Sequence, residues 1–144
     1  MNPPLSAETI ATIKATAPAL QAHGLAITTR MYERLFEDPS IKQLFDQAAQ
    51  ASGEQPKRLA AAILAFAQNV DQLDKIDGAV TAICERHVTT HVRPEHYQSV
   101  AQALLPAIKE VLGNAATDEI LEAWGQAYWY LARIMIEREA RMGG

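Results

Sequence analysis

The sequence predicts an all-α fold. Helical spacing of apolar residues runs through almost the whole chain. No alternating Val/Ile/Thr run and no Asn-Gly hairpin turn occurs. Alanine supplies 26 of the 144 residues, and Ala loses no side-chain entropy in a helix.

Seven segments follow from the period and its punctuation. Ser6 can cap a first helix that runs to about Thr16. A second is expected from Pro18 to Phe36, with Gly24, Thr28, Met31, Tyr32 and Leu35 on its inner face. Asp38-Pro39 stops it, because the residue before proline avoids the α region. A short helix covers Pro39 to Leu44, and the stretch from Ala48 to Glu54 reads as loop. The fourth helix, Gln55 to Val70, faces inward with Leu59, Ile63, Phe66 and Val70. After the polar stretch from Asp71, a fifth covers Asp77 to His91, with Val80, Ile83, Cys84 and His87 on one stripe. Pro94 opens the sixth, which presents Tyr97, Val100, Leu104, Ile108 and Val111 and ends at Gly113. The last runs from Thr117-Asp118 to Arg141, with Trp124, Tyr128, Leu131 and Met135 inward. Six longer helices and one short one are too irregular for a simple four-helix bundle. They fit helices crossing around a pocket, as in a globin.

Composition bounds the function. Apolar residues make up 49% and charged residues 21%, which is globular, and one domain of 1–144 is expected. The net charge of −4, with no basic run, argues against nucleic acid. A lone cysteine, Cys84, suits a reduced, cytoplasmic setting. Met1-Asn2-Pro3-Pro4 lacks the features of a signal peptide, and no stretch approaches the ~20 apolar residues of a membrane span.

Several polar side chains fall on apolar faces. His87 alone is more often a satisfied core histidine than a ligand, although imidazole is a standard axial ligand of haem iron. Tyr32 alone reads as a core tyrosine with its hydroxyl at the rim. Glu139 continues the last helix's stripe, where exposure at a helix end is the default. Tyr97 lies in the first turn of its helix, facing inward. His87 and His91 share a helix face, but two ligands make a weak zinc site. Cys84 beside His87 is a conceivable nucleophile pair, though a helix-interior thiol is usually inert. His23 and His96 read as surface residues.

Taken together, Thr9 to Thr16, Glu54-Gln55-Pro56-Lys57, Pro94-Glu95-His96-Tyr97, Ala107 to Gly113, Ala116 to Ile120, Ala123 to Tyr128 and Arg138-Glu139-Ala140 form a specific pattern. With them the chain resembles the bacterial haemoglobins, which include flavohaemoglobins and their single-domain relatives. The resemblance implies a globin fold around haem b, with His87 as the iron ligand. It implies that Tyr32 is the distal hydrogen-bond donor, Gln55 the distal glutamine, Leu59 the apolar residue over the iron and Phe45 the wedge against the haem. Tyr97 and Glu139 match the pair around the ligand histidine. Arg86 and His91 are candidates to reach a haem propionate.

The implied function is reversible binding of O2, with NO and CO as further ligands. The runner-up is nitric oxide dioxygenation, or peroxidase-like turnover, with electrons from a separate NAD(P)H-dependent reductase. The chain is expected to lack the flavin and NAD modules. A gas sensor and a haem-free interaction domain rank lower. A homodimer is expected by likeness alone, with Trp129 and Tyr130 as outward packing or a dimer contact.

Overall fold

The computed structural model describes residues 5–43, 54–90 and 92–142. Among them are six α-helices: α1 (Ala7–Leu35), α2 (Pro39–Lys42), α3 (Glu54–Gln68), α4 (Asp77–Thr89), α5 (Pro94–Leu112) and α6 (Asp118–Met142). Two single 3-10 turns, Leu73–Ile76 and Gly113–Ala115, join the later ones. No strand occurs among the described residues. Leu44, Phe45, Ala48 to Gly53 and His91 lie outside them.

The expected break between the first two helices is corrected. They form one 29-residue helix that carries Pro18 inside it. Its buried residues Thr9, Ile13, Thr16, Leu20, Gly24, Ile27 and Met31 keep steps of three and four through the proline. Burial of that continuous face outweighs the missing N–H of Pro18. The proline itself lies on the exposed face, where water can reach the backbone left unpaired. Ser6 caps this helix, its hydroxyl accepting from the Thr9 N–H at 3.1 Å. Gly113, at φ +56°, ends α5 in the left-handed region where glycine is favoured.

The helices α3, α5 and α6 pack on α1. At the α1–α3 crossing, a Cβ on Gly24 would meet the Ala60 Cβ at 3.5 Å. One turn on, the Thr28 hydroxyl donates to the Pro56 carbonyl at 2.8 Å. Beyond the crossing, Arg30 and Arg34 both pair with Glu110 of α5, the Arg30 contact measuring 2.6 Å. The larger apolar cluster, with Ile13, Ile27, Phe66, Leu104 and Trp124, joins these elements. A smaller one, of Val80, Cys84, Tyr97, Ala132 and Met135, joins α4 to the start of α5 and the second half of α6. Ile76, Tyr128 and Leu131 touch both. The helix α4 packs chiefly on α6 and on the turn before it.

Replacing Pro18 by Ala supplies the absent N–H, and Pro is ~3 kcal/mol worse than Ala inside a helix. Loosening the unfolded chain offsets about 0.4–1 kcal/mol of that gain. The expected net is a stabilisation of about 2–2.6 kcal/mol, seen as a melting temperature several degrees higher by far-ultraviolet circular dichroism. A lower melting temperature would mean that the proline shapes α1 in a way the packing needs.

Candidate functional site

Residues of both clusters line a cavity of about 230 Å³, and its wall is overwhelmingly apolar. The helix α1 brings Met31 and Tyr32 to it, and α3 brings Leu59, Ala62, Ile63 and Phe66. Val80, Ile83 and His87 of α4 face it, as do Tyr97, Val100 and Leu104 of α5. Trp124, Tyr128, Leu131 and Met135, the inward stripe expected of the last helix, close it.

On one wall, three polar side chains from three helices converge. His87 Nδ1 lies 2.8 Å from Glu139 Oε2 and 3.1 Å from the Tyr97 hydroxyl. That hydroxyl donates to the same carboxylate oxygen at 2.6 Å. Burial, and then the hydrogen bond to Glu139 and its charge, push the Tyr97 phenol far above its usual range, so it stays protonated. With its proton given to Glu139, the Tyr97 oxygen can only accept from His87. Nδ1 therefore carries the imidazole proton, and Nε2 is left as the bare, basic nitrogen. The Glu139 side chain is only 10% exposed, which corrects the default of exposure at the helix end. Anchoring it in the interior is favourable because both donors reach it.

The sequence reading gave no role to the supports of this triad. Tyr128 donates to the Tyr97 carbonyl at 2.5 Å and holds the start of α5 against α6. Arg138 bridges from α6 to Asp77 and Thr81 of α4, both at 3.0 Å. Cys84 is fully buried one turn before His87, and burial followed by the charge of Glu139 pushes its thiol up to about 11. At neutral pH it is an inert thiol.

Elsewhere on the wall, the Tyr32 hydroxyl accepts from Gln55 Nε2 at 3.4 Å, although Gln55 itself is not among the lining residues. This rung sits beside the Thr28–Pro56 bond, so one register of α1 on α3 sets both. Burial raises the Tyr32 phenol, an effect partly countered by Gln55, and it too stays protonated. Leu59 lines the cavity one turn beyond Gln55.

Of the other expected residues, Phe45 and His91 lie outside the described residues. Arg86 is exposed and is not on the cavity wall. His96 is half-buried on that wall, which corrects its reading as a surface residue. Trp129 and Tyr130 are half-buried, and Trp129 packs edge-on against Tyr128 at 5.3 Å. The donor set fits the haem that the resemblance implies: a bare imidazole nitrogen, a phenol elsewhere on the wall, and apolar sides for a flat macrocycle. Among the described residues, no three His, Cys, Asp or Glu group to hold a bare metal ion. No helix among them is long and apolar enough to cross a membrane.

Comparison with known proteins bears on the family and the fold. The globin family model matches residues 29–135. A flavohemoprotein of Xylella fastidiosa is 51% identical over 140 residues, which cover 97% of this chain and 35% of that protein. The chain thus spans about a third of the length of such relatives. A bacterial globin from Campylobacter jejuni has a closely similar structure, with a TM-score of 0.89 and 38% identity, covering 95% of this chain and 98% of that one. A carbene transferase engineered from a candidate nitric oxide dioxygenase of Rhodothermus marinus also has a TM-score of 0.89, with 37% identity over 96% of this chain and 95% of that one. With a family match over most of its length and a fold shared with bacterial globins, the chain belongs to the globin family.

Proposed function

We propose that the chain binds haem b through His87 Nε2 and takes up O2 reversibly. The observation that carries this is the His87–Glu139–Tyr97 triad, which leaves one basic nitrogen at the wall of an apolar cavity. The group, when bound, supplies an iron that takes up diatomic gases and exchanges electrons. Glu139 fixes the imidazole ring and its tautomer, and by accepting from Nδ1 it raises the basicity of Nε2. Elsewhere on the wall, Tyr32 is the donor that would meet a gas ligand. Its oxygen accepts from Gln55, and that contact orients the phenol's own O–H away from the amide. The apolar wall keeps competing water out.

The carboxylate on Nδ1 favours a second reading, nitric oxide dioxygenation. Electron donation through the histidine suits oxygen activation better than storage. The balance is NO plus O2 plus one electron to nitrate, the electron coming from a separate reductase. The Rhodothermus likeness supports this reading too.

His87→Ala should abolish the strong Soret absorbance that haemin gives the wild-type protein, and should lower the melting temperature of the reconstituted sample. An unchanged haemin titration would sink the assignment of the ligand.

Tyr32→Phe should weaken O2 binding by roughly 10- to 150-fold, the worth of one hydrogen bond to a partly charged acceptor. Flash photolysis would show it mainly as faster O2 release, and an unaltered release rate would remove Tyr32 from the site.

Glu139→Gln should raise the iron's reduction potential, on the order of 60 mV for a tenfold change in a one-electron equilibrium. If the protein is a dioxygenase, NO consumption with an added reductase should fall in parallel. If it is a carrier, wild-type NO consumption stays negligible however much reductase is supplied.

A further inference from the structure

The cavity wall carries few polar groups, and most are committed to partners. Tyr32, His87, Tyr97 and Tyr128 all make the hydrogen bonds described above. Two N–H donors on the wall remain without a partner among the described residues: Trp124 Nε1, and one nitrogen of His96. Trp124 is 3% exposed, deep in the larger apolar cluster. His96 is half-buried and so stands where the cavity meets solvent.

The helix start fixes which nitrogen of His96 is available. His96 is the third residue of α5, and its Nδ1 accepts from the Arg93 N–H at 2.9 Å, while its own N–H donates to the Arg93 carbonyl at 3.0 Å. The side-chain bond is one half of a capping box, with imidazole in place of the usual Glu or Gln, and the other bond is an ordinary backbone turn. A nitrogen that accepts carries no proton, so the neutral ring holds its proton on Nε2. The cap turns His96 into an oriented N–H donor at the cavity rim.

Haem b is apolar except for two propionate carboxylates, which must end where water or donors can meet them. The indole of Trp124 is too deep to receive one without stripping its hydration. Arg86 is exposed and off the wall. The nearby carboxylate of Asp38 accepts from the Ser40 N–H at 2.9 Å and hydroxyl at 2.7 Å, and makes no hydrogen bond to His96 among the described residues.

Resting on the haem reading above, we infer that His96 Nε2–H holds a haem propionate at the cavity rim. The residue then has two tasks, one nitrogen capping α5 and the other retaining the prosthetic group. Tyr97, the next residue, reaches the proximal triad, so the cap registers both contacts on one helical turn.

The test is the rate of haem loss to excess apomyoglobin, after reconstitution with haemin or with its dimethyl ester, which has no carboxylates. His96→Ala should lose haemin about tenfold faster than wild type. His96→Glu keeps the acceptor for the Arg93 N–H but sets a negative charge against the propionate, and should lose haemin at least as fast. With the ester, the three proteins should release their haem at similar rates. If His96→Glu retains haemin like wild type, or if the His96→Ala effect persists with the ester, His96 is only a helix cap and the inference falls while the haem reading stands. A wild-type protein that takes up neither haemin nor its ester overturns the haem reading and this inference with it.

Discussion

The hydrogen bond from His87 to Glu139 is the contact on which the rest of the site depends. It joins the last turn of α4 to the far end of α6, 52 positions apart in the chain. Without it only the longer 3.1 Å contact with the Tyr97 oxygen would orient the imidazole. With it, the proton is committed to Nδ1 and the basic lone pair faces the apolar cavity. Tyr97 tightens the arrangement by donating to the same oxygen, and Tyr128 holds the backbone from which Tyr97 projects. A buried carboxylate without such donors would be strongly unfavourable. Here the desolvation of Glu139 is offset by two short hydrogen bonds, and the by-product is an oriented ligand.

The Tyr32 part of the wall is built on a different principle. Tyr32 and Gln55 belong to α1 and α3, which meet closely because Gly24 and Ala60 have almost no side chain there. The Thr28–Pro56 bond sets the register, and the Arg30 and Arg34 pairs with Glu110 fix the far end of α1 against α5. The Gln55 contact is long at 3.4 Å, whereas the Tyr97–Glu139 contact is short at 2.6 Å. One part of the wall is stiff and charged, and the other is a weaker pair of neutral groups. That asymmetry is what the proposed function would need, with one side held fixed and the other able to admit and release small molecules.

Much of this was legible in the sequence. The inward stripes of α3 to α6 follow from helical spacing, and His87, Tyr97 and Glu139 could be singled out as polar residues on apolar faces. Their convergence could not be read from spacing, because it depends on three helices crossing. The resemblance supplied that link. Pro18 marks a break only by a local rule, and the unbroken buried face of α1 overrides it. The placement of His96 on the cavity wall likewise depends on tertiary context. Its position is the third of a helix that starts at the cavity rim, and a polar residue there serves the cap and the wall together. The same is true of Tyr128, whose stripe was evident but whose partner, the Tyr97 carbonyl, is a backbone atom that no side-chain pattern reveals.

The way α4 is attached has one more consequence. This helix leans on α6 and on the turn before it, and its other face borders the cavity. Its amides thus draw little protection from the larger cluster. Whatever fills the cavity becomes the missing half of its packing, so the hydrogen-exchange protection of α4 should report cavity occupancy while α1, α5 and the first half of α6 keep theirs. On the proposed haem reading, the element that presents His87 is also the one whose order the bound group would complete. Folding of that side and capture of the group would then be a single equilibrium.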